Sequence, residues 1–492
     1  MNKLDGRDIE DILALTPMQE GMLFHYLKEP ESDIYFEQLS LNLVGDIDNE
    51  IFKQAWNVVI RGNEMLRTMF RWENVENPIQ VVLKEHPLQP VYYDLSVKDT
   101  NDPAKSLEEI KTRDRNKKFD LGQVPFRVTL CRTGKEKYEI IISNHHILYD
   151  GWSTGIILKE FFEAYDGLCK RNALIPPVKV KFKEFVKWIQ DREKKEQEKF
   201  WKEYLKGFDT RTELPLKRKN RGNRIETAGS YNCGFSGVMS EKAERYAKKH
   251  KLTMASLLYG VCGLLLQQYN NCGDVVFGIA LSGRSAKIKG IEDMVGLFIN
   301  TLPLRVQSPN DEKIVEVLHR IDDMLLAWTE YEWTSLADIK KYSEMDNESE
   351  LFDFLVVVEN YPIYGWLKGE KGPLTLHSYS MLEMTHYALT LQIVLLDDDI
   401  KMSFNYDKYL LEESVIVKLA HSFITVTQDV INHPGRMVSE ISILSEEEKN
   451  QILYEFNDTK TRYPEDKTID GLFEEQVEKV AERVAVVYQD NQ

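Results

Sequence analysis

The chain has 492 residues, 42% apolar and 29% charged, ordinary values for a globular protein of two to four compact units. Its 80 acidic residues outnumber 63 basic ones for a net charge of −17, which argues against nucleic acid as the main partner, because phosphate binding draws on a basic surface. The N-terminus, MNKLDGRDIEDILAL, carries acids where a signal peptide needs a basic start, and no run reaches the ~18–20 apolar residues of a membrane span. A cytoplasmic protein without a membrane partner is expected. Next, Thr16-Pro17-Met18-Gln19 predicts a helix start, with Thr16 as N-cap, Pro17 as first helical residue and Gln19 closing a capping box. Phe52, Ala55, Trp56, Val59 and Ile60 mark a second helix. A buried strand is expected over 138–143 and a helix over about 154–166. Pro176-Pro177 breaks the pattern; a charged helix follows over 187–205, then a basic loop at 217–224 that reads as solvated. Thr253 caps an apolar helix, and strand 275–281 ends in Ser282-Gly283-Arg284. A helix over 312–329, strands over 352–358, 388–396 and 400–406, and a last helix over about 412–431 complete the pass. The five cysteines (131, 169, 233, 262 and 272) have no CxxC spacing, which speaks against a disulfide framework and a structural zinc.

The residues able to do chemistry cluster in Asn144-His145-His146-Ile147-Leu148-Tyr149-Asp150-Gly151-Trp152-Ser153. Two of the ten histidines sit together at the end of a buried strand, where successive side chains point to opposite faces, so one alone can face a given cavity. A histidine presenting one ring nitrogen to a substrate is the usual general base near neutral pH. A pair of ordinary strand-end histidines fits the same pattern. Asp150 is placed to fix the turn, and Gly151 lets a backbone N–H approach a substrate closely. Gly151-Trp152-Ser153-Thr154-Gly155 also matches the G-x-S-x-G nucleophile elbow of serine hydrolases. Ser153 is equally a natural N-cap for a helix at 154.

HHILYDG (145–151) matches the HHxxxDG signature of the condensation domains of non-ribosomal peptide synthetases. It does not stand alone. LTPMQEGMLFHYL (15–27), EMLRTMF (64–70), FKEFVKW (182–188), GDVVFGIALSGR (273–284), MVGLFINTLPLR (294–305), YEWTSLADI (331–339) and LFDFLVVVENYP (351–362) resemble the family's segments in family order. The resemblance covers about 10–450. Two departures are visible: Gly62-Asn63 stands where the family usually has Arg-His, and His386 where it commonly has Asn.

The resemblance implies an α/β (α+β) fold of two chloramphenicol-acetyltransferase-like lobes, forming a V-shaped pseudo-dimer with a central tunnel. The division implied is 1–175 for the first lobe, 176–450 for the second, and 451–492 for a linker and the truncated start of an adenylation domain, with the Pro-Pro break as hinge. It implies peptide-bond formation between a donor thioester and the amine of an acceptor aminoacyl thioester. Both substrates ride on 4'-phosphopantetheine arms of an upstream and a downstream peptidyl carrier protein. No bound cofactor and no metal are expected, and a monomer is. By the same resemblance His146 is expected to accept the amine proton or orient the amine, and the Gly151 N–H is a candidate oxyanion donor. His145 is structural, and Asp150 holds the turn through a buried ion pair with Arg67. Ser282, Gly283, Arg284, Asn300 and His386 are expected along the tunnel. The alternatives are an epimerisation domain of the same family and, on the elbow match, a serine hydrolase using Ser153.

Overall fold

The computed structural model describes residues 6–96, 102–172, 176, 178–214, 228–346, 350–359, 370–396, 399–462, 464–484 and 486. The basic loop at 217–224 and Pro177 lie outside them. The chain forms two compact units, Met1–Ile443 and Leu444–Gln492, so the second begins at Leu444 rather than at 451. Among the described residues it carries the short helices Glu446–Asn450 and Ile469–Lys479 and a π-helical turn, Gln451–Glu455.

In the first half the elements run β1 (Ile9–Ala14), α1 (Pro17–Lys28), β2 (Phe36–Gly45), α2 (Asn49–Gly62), β3 (Thr68–Arg71), β4 (Ile79–Leu83), β5 (Val91–Asp94), α3 (Pro103–Asn116), β6 (Phe126–Arg132), β7 (Lys137–His145) and α4 (Gly151–Cys169). The second half continues α5 (Phe182–Gln190), α6 (Lys194–Tyr204), β8 (Ala228–Ser236), α7 (Val238–His250), α8 (Met254–Asn270), β9 (Asp274–Leu281), β10 (Asn300–Gln307), α9 (Ile314–Ala327), α10 (Leu336–Tyr342), β11 (Phe354–Glu359), β12 (Glu370–Lys371), β13 (Leu374–Glu383), β14 (Leu389–Leu395), β15 (Asp399–Asp407) and α11 (Glu413–Asn432).

Each lobe is built on a six-stranded mixed sheet. The first has the order β12-β13-β2-β7-β6-β5, the second β10-β9-β11-β14-β15-β8, and a small sheet β1-β4-β3 flanks the first. Pro303, which cannot donate to a ladder, sits in β10 at a sheet edge. The local signals act as the sequence dictates. Gln19 N donates to Thr16 Oγ1 at 3.3 Å and Thr16 N to Gln19 Oε1 at 2.9 Å, a complete capping box for α1. The apolar face of α2 buries Phe52 and Trp56, and both rings pack on Phe161 of α4, Trp56 at 4.7 Å between centroids. α11 is the one described helix long and apolar enough to cross a membrane, but half of it is buried, with Ile416, Ala420, Phe423 and Val430 in the second lobe's core.

The structure differs from the expected organisation in two places. The charged helix over 187–205 is two helices, α5 and α6, interrupted at 191–193. The break has a packing cause: α5 buries Phe182, Phe185 and Val186 in the first lobe's core, while α6 buries Trp201 in the second. A straight helix would leave one of these faces unburied. The lobes also do not divide at 175/176. Ile291, Met294, Leu297, Phe298, Trp333 and Leu374 belong to the first core, and β13 is a strand of the first sheet although β11 and β14, on either side of it in sequence, belong to the second.

Candidate active site

β7 lies between β2 and β6, and its end delivers the two histidines. His145 turns into the apolar side: its ring lies 6.0 Å from Tyr26 and 6.1 Å from Tyr35, and its Nδ1 accepts from Ile147 N at 3.2 Å. Burial, with the neighbouring His146, pushes its pKa down to about 3, so it stays neutral. His146 faces the other way, into a cavity of about 610 Å³ lined by α1, β2, α4 and elements of the second half. Its backbone N–H donates to the Tyr35 carbonyl at 2.8 Å. Tyr35 has φ 65°, a left-handed conformation that a bulky residue adopts only when its surroundings hold it. They do: Tyr35 N donates to the Met384 carbonyl at 2.8 Å, so this one residue ties His146 to the end of β13.

The imidazole of His146 is flanked by acceptors. Its Nδ1 lies 2.8 Å from the Tyr149 carbonyl and 3.1 Å from Glu37 Oε1, and its Nε2 lies 3.8 Å from Glu383 Oε1. Because the Tyr149 carbonyl can only accept, the ring proton sits on Nδ1 and the neutral ring offers the Nε2 lone pair towards the cavity. Burial alone would lower the pKa of His146. The Glu37 and Glu383 carboxylates, with the Tyr149 carbonyl and Asp150, outweigh it and hold the imidazole above its ordinary value. Burial likewise holds the Glu37 carboxyl above the usual range, opposed by His146 and reinforced by Glu383. Glu37 is positioned by Asn144, whose Nδ2 donates to it at 2.6 Å while its Oδ1 accepts from the Tyr149 hydroxyl at 2.7 Å.

Asp150 is the N-cap of α4 and Gly151 its first residue, so the Gly151 N–H is among those a helix leaves without an intrahelical partner. Gly151 lines the cavity beside His146. The fully buried Asp150 carboxylate accepts from Ser153 N at 2.9 Å, Ser153 Oγ at 2.8 Å, Phe298 N at 3.0 Å and Arg284 at 3.2 Å. Its ionic partner is therefore Arg284, not Arg67. The correction follows from topology: Arg67 leads into β3 of the small sheet, where it pairs with Glu10 of β1 at 2.5 Å and donates to the Leu83 carbonyl. Arg67 does not belong to the site.

Ser153 is neither a helix cap nor a nucleophile. It is the third residue of α4, fully buried; its one hydroxyl proton has Asp150 Oδ1 at 2.8 Å and Gly296 O at 2.9 Å as acceptors, and its oxygen accepts from Arg284 at 2.9 Å and Gly296 N at 3.1 Å. No histidine is among these partners, so the elbow match carries no triad.

Of the residues expected along a tunnel, Asn300 and His386 line the cavity, whereas Ser282, Gly283 and Arg284 do not. Arg284 anchors the loop after β9 on the start of α4: beyond Asp150 and Ser153 it donates to the carbonyls of Ile291 at 2.5 Å and Met294 at 3.0 Å, over the Phe298 ring. Gly283 has φ +65° and a Cβ there would collide with the Phe298 carbonyl, so glycine is required by the turn. Asn300 donates to the carbonyls of Glu332 at 2.7 Å and Thr334 at 2.8 Å, which occupies its amide with backbone. His386 stacks on His25 at 4.1 Å, and its Nδ1 lies 2.7 Å from the Tyr35 hydroxyl; burial pushes its pKa down to about 3. Sequence reasoning missed Glu37 and Glu383.

The sequence matches the condensation-domain family over residues 9–453. The chain belongs to the condensation-domain family. This condensation domain is 35% identical to "Gramicidin S synthase 2" of Brevibacillus brevis over all of its length, and 34% identical to "Tyrocidine synthase 2" of Brevibacillus parabrevis. The domain spans only 11% and 14% of those two proteins. Among solved structures, a four-domain nonribosomal peptide synthetase bound to AMP and glycine matches with a TM-score of 0.79 at 16% identity, over 98% of this chain and 37% of that one. The starter condensation domain of rhizomide synthetase matches at 0.74 and 15% identity, over 88% of this chain and 98% of that one. At these identities the structural matches speak to the fold: two chloramphenicol-acetyltransferase-like lobes.

Proposed function

We propose that this condensation domain forms an amide bond between a donor acyl thioester and the free amine of an acceptor aminoacyl thioester, each carried on the 4'-phosphopantetheine arm of a carrier protein. The observation that carries this reading is the placement of His146, with its Nε2 near Glu383 on the wall of a cavity that Gly151 and both halves of the chain also line. The amine nitrogen attacks the thioester carbon, the C–N bond forms, and the C–S electron pair leaves with the pantetheine sulfur. His146 takes or steers the amine proton, and the Gly151 N–H stabilises the oxyanion of the tetrahedral intermediate. His145, Asp150 and Arg284 keep the turn in place without touching substrate. A thioester is more reactive than the amide formed, so the step runs downhill with no bound cofactor or metal. The partners required are an upstream donor carrier, a downstream acceptor carrier and the adenylation domain whose start the C-terminal LFEEQVEKV resembles. The domain works as a monomer in the cytoplasm, without nucleic acid or membrane.

The test is a transfer assay with loaded donor and acceptor carriers, read by mass spectrometry of the acceptor-bound product. His146→Ala is expected to lower transfer by roughly 10²–10⁴-fold, the usual contribution of a positioned acid–base group, with an unchanged melting curve. Wild-type rates in that variant would remove His146 from the chemistry. A D-configured donor without transfer would point to epimerisation.

A further inference from the structure

Glu37, Glu383 and Asn144 form one rung across three strands: Glu383 of β13 is in register with Glu37 of β2, which is in register with Asn144 of β7. Two carboxylates directly opposite one another on antiparallel strands repel. His146 lies between them, yet one imidazole carries at most one positive charge. Glu37 uses its partners fully, with Asn144 on one oxygen and His146 on the other. Glu383 does not. Among the described residues its one ionic contact is His146 Nε2 at 3.8 Å, beyond hydrogen-bond length, and no hydrogen-bond donor reaches it. Its side chain is 26% exposed and lines the cavity. Glu383 Oε1 and His146 Nε2 thus stand 3.8 Å apart on the cavity wall, close enough for one nitrogen placed beside them on the cavity side to hydrogen-bond to both.

We infer that Glu383 is the residue that recognises the acceptor's α-amine in its ammonium form and seats it against His146 Nε2. This rests on the condensation reading above and deepens it. An aminoacyl thioester reaches the site largely as R–NH3⁺, which cannot attack. One N–H donates to Glu383 and a second to Nε2, whose lone pair is available because Nδ1 holds the ring proton between Tyr149 O and Glu37. The ammonium passes that second proton to Nε2, giving a neutral amine and an imidazolium between two carboxylates. The amine nitrogen attacks the thioester carbon and the C–N bond forms. The C–S bond breaks, and the sulfur leaves as thiol with a proton from the attacking nitrogen. The imidazolium returns its proton to solvent, so the sum is amide, thiol and one proton.

The proposal separates binding from turnover. The 492-residue chain is titrated at neutral pH with two non-reactive probes, the pantetheine amides of alanine and of propionic acid, which differ only in the amine. Wild type is expected to bind the alanine probe about tenfold or more tightly, as befits a charge-assisted hydrogen bond. Glu383→Gln is expected to bring the two affinities together by weakening the alanine probe alone, and Glu383→Asp to retain part of the preference. An unchanged affinity for the propionyl probe reports that the variant is folded. Equal binding of both probes by wild type, or an intact preference in Glu383→Gln, overturns the assignment. Transfer by the wild-type domain is scored separately, so failure of the condensation reading shows there and not in the affinity ratio.

Discussion

At the scale of single residues, the His146 ring is defined by the Tyr149 carbonyl, which can only accept. That carbonyl fixes the proton on Nδ1, and Glu37, Glu383 and Asp150 together lift the pKa while neutral His145 lies behind. A base of raised pKa is protonated, and idle, at low pH. The transfer rate is therefore expected to climb with pH through a value above the ordinary ~6.5 of histidine. Glu37→Gln removes an anion beside the imidazole, so its pKa falls and the acid limb of the rate profile moves to lower pH, with a lower plateau because the base is weaker. An acid limb that stays in place in Glu37→Gln would detach Glu37 from the titration. The histidine itself was legible in the sequence, because the HHILYDG motif is local. Its two carboxylates were not: they come from different halves of the chain, and only strand register brings them to the ring.

At the scale of elements, the start of α4 is held by a cross-chain staple. Asp150, Ser153 and Arg284 share hydrogen bonds with the backbone of Gly296 and Phe298, which fastens the loop after β9 to the first turn beside His146. Asp150 and Arg284 are both buried, so removing either leaves a charge or donor without its partner. Asp150→Asn and Arg284→Ala are each expected to destabilise the fold by roughly 3–5 kcal/mol. The double variant should lose clearly less than the sum, whereas Asp150→Asn combined with Arg67→Ala should be additive within about 0.5 kcal/mol. Denaturant unfolding of the wild type, the three single variants and the two double variants checks this, and coupling to Arg67 in place of Arg284 would refute the arrangement. The helices of the fold were legible because caps and periodicity are short-range, as at Thr16 and Thr253. The interruption between α5 and α6 was not, since charged residues continue through it and only the identity of the core below each face decides where the chain bends.

At the scale of the whole molecule, the first core depends on chain contributed late. Phe182 and Phe185 of α5 pack on Phe298 at 5.3 and 4.5 Å between ring centroids, and Leu374 closes the same cluster. A fragment of residues 1–175 is therefore expected to lack fixed packing, with near-UV circular dichroism and dispersed amide resonances lost, while a fragment ending at Ile443 keeps both. A well-dispersed spectrum from 1–175 would show that the first lobe is self-sufficient.

The loan of β13 also constrains how such domains can exchange parts. Its nine ladder partners, from Gly45 to Glu37, lie on β2, far earlier in the chain. Joining the front of one domain to the back of another anywhere between β2 and β13 produces a sheet of mixed parentage, in which each rung pairs side chains selected in different proteins. The last rung is the one beside His146. Recombination would therefore fall first on the alignment of the amine-binding carboxylate and only second on stability, and a hybrid could fold well yet bind its acceptor poorly. Transplanting β2 and β13 as a matched pair keeps that rung intact.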